Sequence, residues 1–530
     1  MLKLVVREWL QRVTNERDID AALVAYLGAV GYRDVHFTHG TAELGKDFIA
    51  KSADRSEQLV LQAKKGDIAT SEWRALRDQL WEAMRIGLSH PMFDRALPRR
   101  GILVLTGELA GGAKEQLARF NDELVADGKL PIEVWHREEL IRRFCDTDPV
   151  IVYPANRQGF YGYGQFFSLY GAALDRRADA RTLEQHSRNW LAEVYGPGHL
   201  LLPAVEASVL ADAAEVAHDH YLAFQARLTL VRVALDAEFA TAANDDVAFF
   251  STASEVALEG AIVAAQRFVD DVWGKRATAR DKKLLNTVPY GTIIAYPVLC
   301  LRLSEALAFL YLTSTDTAAR AEALARLRKI IVTEDGVHHP LSDRYAVSIV
   351  VIARALFAGE MPEIAKAFLR SAAFWILNAY VTRKGLAPFE ADENGEVDQL
   401  FGPSFPELDS TTRTASFAVT ALLDVCAFFA SNDLYETIEN DIRANRIFPE
   451  YQRTLDTRGQ FRIDGVDIVR SPNVQFVPNL SGVARFAHGE HLIDEPRTFA
   501  MQGRYGGAAH LALSLLLRDR YFPTTWETSL

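Results

Sequence analysis

A chain of 530 residues exceeds one ordinary hydrophobic core, so two or three domains are expected. With 49% apolar and 24% charged residues, its composition is that of a globular protein and excludes a disordered or fibrous chain. The formal net charge of −12 argues against a protein that coats nucleic acid non-specifically, because such binding is driven by Lys and Arg releasing counterions from phosphate.

One basic cleft is still compatible with that charge. Residues 1–150 hold about 22 Lys/Arg against about 24 Asp/Glu, so most of the negative excess lies in the remainder. The N-terminal stretch MLKLVVREWLQRVTNERD mixes charges into its apolar residues too early for a signal peptide. The three cysteines, Cys145, Cys300 and Cys426, are far apart and lack CxxC spacing, which disfavours a disulfide framework or a cysteine zinc site. A cytoplasmic protein is the expectation.

DIDAALVAYLGAV (18–30) places Ile19, Leu23, Tyr26 and Leu27 at helical spacing, and Gly31 stops the run. RDVHFTHGTAELGKDFIAKS then predicts a strand, a Gly-containing loop and a second strand. The polar break ADRSE leads to QLVLQAKKGD, a third strand, so residues 46–64 read as a β-hairpin. Helical spacing returns over 71–88. GILVLTG is a short buried-type strand, GAKEQLARFNDELVAD a helix, PIEVW a last strand and REELIRRF a closing helix. This αβββαβαβ-like order predicts an α/β sandwich around a mixed sheet flanked by helices.

The Pro-, Gly- and Tyr-rich stretch 148–166 has no clear period and is expected to link residues 1–147 to the rest. From 167 to 530 the pattern is mainly helical, without a solenoid period. The most apolar segments, 293–312 and 345–358, are broken by Arg302, Glu305 and Arg354 and read as buried helices, not membrane spans. A small strand pair is expected within 455–480.

The chemistry is expected in the hairpin. Side chains alternate across a strand, so Gln62 and Lys64 share one face while Leu61 and Ala63 point to the other. Leu59 and Leu61 are natural core residues, which leaves the polar pair on the opposite side. Asp47 opens the preceding strand, so a carboxylate, an amide oxygen and an ammonium are expected at one end of the hairpin. Phosphodiester hydrolysis needs a cation on the scissile phosphate, an attacking water and relief of the developing charge. Asp47 is a hard oxygen ligand suited to Mg²⁺, Gln62 offers a neutral carbonyl oxygen, and Lys64 can orient the water and stabilise the pentavalent phosphate.

These segments resemble the PD-(D/E)XK nuclease fold, most closely the Mrr-like restriction endonucleases. IDAALVAYLGAVGY is similar to that group's helix ending in Gly-Tyr, Glu43-Leu44-Gly45-Lys46-Asp47 to its acidic GxD turn, and Gln62-Ala63-Lys64 to its QxK strand. No single GxD or QxK carries weight; their order, spacing and strand context do. The resemblance covers residues 17–145. It implies Asp47 as the metal-binding acid with Gln62, Ala63 and Asp20 as further metal-site positions, Lys64 as the active-site lysine, and Glu43 as an auxiliary acid. Asp20 replaces the Glu usual in that helix. Lys65 and Gln79 are the positions expected against nucleic acid. The implied cofactor is Mg²⁺, with Mn²⁺ as the alternative ion.

The resemblance further implies a DNA-cleaving endonuclease in bacterial restriction or anti-phage defence. The helical remainder would then sense, recruit or oligomerise, as a homo-oligomer or with a defence partner protein. Two alternatives stand beside it, a non-cleaving interaction module on the nuclease fold and an RNA-directed nuclease. The histidine groups His338-His339 and His488-Gly-Glu-His491 lack the spacing that brings two imidazoles onto one zinc, and no Walker A loop or GxSxG elbow is present.

Overall fold

The structure, a computed structural model, describes residues 1–38, 45–148, 163–192, 195–241, 246–288, 292–382, 385–388, 391, 393–401, 414–429, 431–445, 447–449 and 504–518. Glu43, most of the stretch 148–166, the strand pair expected within 455–480, and His488 and His491 lie outside the described residues. The chain divides into two compact units, Met1–Tyr170 with Ala192–Leu210, and Gly171–Leu191 with Ala211–Leu530.

The first unit is built on a five-stranded mixed sheet in chain order: β1 (Arg33–Phe37), β2 (Phe48–Lys51), β3 (Gln58–Lys64), β4 (Arg99–Leu105) and β5 (Glu133–Trp135). The two pairings among β1, β2 and β3 are antiparallel, and β3 with β4 and β4 with β5 are parallel. Among the described residues, five α-helices lie wholly within it: α1 (Leu2–Gln11), α2 (Asp20–Ala29), α3 (Thr70–Arg85), α4 (Ala113–Ala126) and α5 (Arg137–Thr147). The parallel steps need crossovers, which α3 and α4 supply.

One face of the sheet buries Ile49, Val60, Leu103 and Leu105 against Trp73, Leu76 and Leu80 of α3 and Leu117, Phe120 and Leu124 of α4. Away from that face, Tyr26 of α2 meets Trp135 edge-on at 5.6 Å and Phe144 of α5 at 6.0 Å. The first six residues of β3 are therefore all buried. The side of β3 that carries Gln62 and Lys64 is not an open polar face, as simple alternation suggests, but the face that also buries Val60. Only the end of the strand reaches solvent, and that places the polar pair at an edge of the core.

The second unit is mainly helical. α6 (Tyr163–Leu174), which begins within the stretch read as a linker, and α8 (Leu201–Val216) each start in the first unit and end in this one, while α7 (Ala180–Ser187), α9 (His220–Ala240), α10 (Val247–Thr278), α11 (Thr292–Thr313) and α12 (Thr317–Thr333) lie within it. Then come α13 (Ala346–Ala358), α14 (Pro362–Val381), α15 (Glu393–Phe401), α16 (Phe417–Phe428), α17 (Asn432–Ala444) and α18 (Ala508–Leu517). A short parallel strand pair, β6 (Thr414–Ser416) with β7 (Ile447–Pro449), accompanies them and was not visible in the sequence pattern.

α9 is buried around nearly its whole circumference, from Leu222 to Glu238, as is α13. Such helices are apolar on all sides and form the centre of a large bundle. α10 and α11 are long and apolar enough to cross a membrane by length and composition, and about two-thirds of the apolar window of α11 is buried among its neighbours. His338 packs near Phe368, and His339 stacks on Trp375 at 3.9 Å. The cysteines are free thiols, and burial pushes Cys145 and Cys426 up to about 12.

Candidate active site

Asp47 is locked by the ladder that follows it. Its N–H donates to the Leu61 carbonyl at 2.8 Å, and its own carbonyl accepts from the Thr38 N–H at 3.0 Å. β2 and β3 stop pairing at Phe48 opposite Leu61. Two residues further along β3, the Ala63 N–H meets the Asp47 carboxylate Oδ2 at 2.7 Å instead of another strand. The Gln62 Nε2 donates to the same oxygen at 2.7 Å. Two donors on one oxygen fix the direction of the carboxylate. Asp47 is only 6% exposed and Gln62 4%.

The turn before Asp47 demands glycine at 45. Gly45 has φ +70°, and a Cβ there would lie 1.9 Å from the Gln79 carbonyl oxygen of α3. The backbone of α3 thus lies directly against the entry to β2. Gln79 stands at this turn, half-buried, with its Oε1 buried and without a hydrogen-bond partner among the described residues. The opposite wall comes from the loops after β3 and β4. The Gly66 N–H donates to Thr106 Oγ1 at 2.8 Å, the Glu108 N–H to Asp67 Oδ1 at 2.8 Å, and Arg137 Nε to the Thr106 carbonyl at 2.7 Å.

Lys64, at the end of β3, is half-buried, and its Nζ reaches Glu16 Oε2 at 3.4 Å. Lys65 Nζ donates to the Thr14 carbonyl at 2.6 Å. Lys64 therefore ties the strand end to the short 3₁₀ helix Glu16–Ile19 ahead of α2, and Lys65 ties to the chain just before it. Glu16 is the residue that the sequence reading missed. A signal was present: Asn15 and Asp18 form a capping box, with Asn15 Oδ1 accepting from the Arg17 N–H and Asp18 Oδ2 from the Asn15 N–H. That box fixes a helical turn starting at 16, although its docking beside Lys64 is tertiary.

Asp20 opens α2 in the first turn, where the helix dipole favours a carboxylate. Among the described residues, no group of three or more His, Cys, Asp or Glu side chains converges as a metal cage. The donor set is instead one carboxylate with neutral oxygens. Gln62 Oε1 is buried and has no hydrogen-bond partner among the described residues, although its Nε2 holds Asp47. An unsatisfied buried acceptor costs about 1–3 kcal/mol. Beside a buried carboxylate, it fits a hard divalent cation that takes one or two carboxylates and keeps several waters.

A mixed sheet that brings a turn aspartate, a strand Gln and a strand Lys to one edge is the arrangement of the PD-(D/E)XK nuclease fold. The family comparison agrees: residues 12–144 match the family model described as a restriction endonuclease, so this segment is an Mrr-like restriction-endonuclease domain. Domains of this class generally use divalent metal ions. No curated protein and no solved structure matches the chain.

Proposed function

We propose that this domain is a Mg²⁺-dependent endonuclease that cleaves DNA in the cytoplasm, as the effector of a bacterial restriction or anti-phage system controlled through the helical remainder. The observation that carries the reading is the buried Asp47 carboxylate, held by Gln62 and Ala63 at 2.7 Å one residue away from the solvent-reaching Lys64. Asp47, the Gln62 amide oxygen and the backbone carbonyl of Ala63 would hold the cation, and Mn²⁺ meets the same donors. When bound, a divalent ion polarises the scissile phosphate and offsets its developing charge.

The chain supplies the rest. The Lys64 ammonium stands where it can hold the attacking water and stabilise the extra negative charge of the pentavalent phosphate. Glu16 holds that ammonium in place from the far side. Burial of Asp47 and Gln62 lowers the local dielectric, which strengthens each of these interactions. Lys65 and Gln79 would contact the nucleic-acid backbone. In a chain of net charge −12, self-association or a basic partner would add grip on DNA.

Plasmid, single-stranded DNA and RNA incubated with the full-length protein in Mg²⁺ or in EDTA test this reading. Nicking or linearisation of plasmid in Mg²⁺ alone, reduced at least about 100-fold by Lys64→Ala, is expected. Cleavage indifferent to both EDTA and Lys64→Ala would overturn it, and preferential cleavage of RNA would replace DNA as the substrate.

A further inference from the structure

The carboxyl ends of β3, β4 and β5 lie side by side, because Lys64 is in register with Leu105 and Val104 with Trp135. Ligands of open α/β sheets bind outside such ends. Lys64 closes the first of them. Thr106 follows the second, and His136 and Arg137 follow the third.

Arg137 is bolted to the strand end that carries Lys64. The Thr106 N–H donates to the Lys64 carbonyl at 3.2 Å, and the Thr106 carbonyl accepts from Arg137 Nε at 2.7 Å. The Arg137 N–H donates to the Gly107 carbonyl at 3.1 Å. A Cβ at Gly107 would lie 2.3 Å from the Gly66 carbonyl carbon, so the loops after β3 and β4 are in backbone contact. Thr106 stands one strand step, about 4.8 Å, from β3, and the guanidinium adjoins it.

That anchor uses Nε and leaves the Nη end of the fork. Among the described residues its ion pair is a long one, 3.9 Å from Nη2 to Asp67 Oδ1, an oxygen that already accepts the Glu108 N–H at 2.8 Å. Asp67 is the more exposed partner, at 62% against 22% for the Arg137 side chain. The other nearby carboxylates are engaged: Glu108 lies 3.3 Å from His136 Nδ1, and Glu138 takes Arg7 at 3.0 Å and 2.8 Å.

A guanidinium fixed through Nε presents its two Nη groups in a preset plane, which matches two oxygens of one phosphate. A DNA strand carries a phosphate about every 3.4 Å of helix axis, so a group one strand step from β3 meets a neighbour of the phosphate at Lys64. We propose, resting on the nuclease reading of this edge, that Arg137 is a positioning residue that grips a non-scissile phosphate beside the one cut. Asp67 aims the fork and competes with the phosphate for it.

Anisotropy of a fluorescein-labelled DNA duplex with the full-length protein in EDTA, across a salt series, tests this without cleavage. Arg137→Gln is expected to weaken binding about tenfold and to flatten the slope of log K against log salt by about 0.9, the share of one phosphate. Arg137→Lys restores the slope with the charge but only part of the affinity, because it lacks the fork. Asp67→Asn keeps an oxygen for the Glu108 N–H and tightens binding about threefold. In Mg²⁺ the loss in Arg137→Gln falls on KM more than on kcat. An arginine that merely braces the loop would change neither the slope nor, through Asp67→Asn, the affinity. If Arg137→Gln does not fold, Asp67→Asn decides alone. No binding by the wild type, an unchanged slope in a folded Arg137→Gln, or no gain in Asp67→Asn would each overturn the assignment. Those binding shifts without cleavage would keep the phosphate grip and sink the nuclease reading, whereas cleavage lost in Lys64→Ala beside an unchanged Arg137→Gln slope would do the reverse.

Discussion

Lys46 and Asp47 are neighbours in the chain with opposite electrostatic fates. The carboxylate gains two donors, whereas Lys46 is fully buried, its Nζ 3.4 Å from the Glu82 carbonyl and 5.8 Å from the Phe93 ring centre. Burial, and after it Arg99, pushes Lys46 down to about 8 from 10.5. Between those two values the unfolded chain binds a proton that the folded chain does not, so stability rises with pH through that window and is lowest below it. Urea titration from pH 7 to pH 10.5 is expected to show a rising midpoint for the nuclease unit. Lys46→Met flattens that rise and lifts the midpoint at pH 7. Glu16→Gln removes the ion pair to Lys64 and is expected to lower kcat about tenfold on plasmid with KM little changed. At this scale the sequence was partly legible. Strand alternation placed Gln62 and Lys64 on one face and brought Asp47 toward them, because those relations are local. Glu16 and the burial of Lys46 were not legible, since a turn docking across the strand end and a lysine sealed under a helix are both set by tertiary packing.

The hairpin and the helix against it make one element-scale device. Gly45 and Gly66 both have positive φ, +70° and +69°, at the two approaches to the site. Their surroundings differ. A Cβ at 45 would collide with the backbone of α3 at Gln79, whereas nothing lies within 4 Å of a Cβ at 66. Gly66→Ala therefore suffers only the left-handed conformational cost, about 1–2 kcal/mol. Gly45→Ala adds a backbone collision and is expected to exceed that cost, with loss of cleavage as Asp47 is displaced. Urea midpoints of the two variants measure the difference, and equal midpoints would show that α3 yields to the new methyl group. The order of strands and helices in this unit was readable from periodicity and turn residues. The face of β3 was only half readable, because alternation tells which residues share a side but not that helices cover both sides.

At the scale of the whole molecule, each unit carries its own buried electrostatic staple. In the helical unit Glu334 is fully buried and accepts from Arg276 Nε at 2.9 Å, from the Leu284 N–H at 3.2 Å and from Tyr296 Oη at 3.2 Å. This staple was illegible in the sequence, because only the bundle brings Arg276, Leu284, Tyr296 and Glu334 together. Two units with separate cores imply two unfolding steps that respond to different substitutions. Glu334→Gln leaves the Arg276 guanidinium buried against a neutral amide, a change that costs about 3–5 kcal/mol. It is expected to lower the midpoint of one urea transition and leave the other in place, while Lys46→Met raises the other alone. Both variants shifting a single common transition would mean that the chain unfolds as one cooperative body. In that case, the pH dependence assigned to Lys46 would be felt across all 530 residues and not within the nuclease unit.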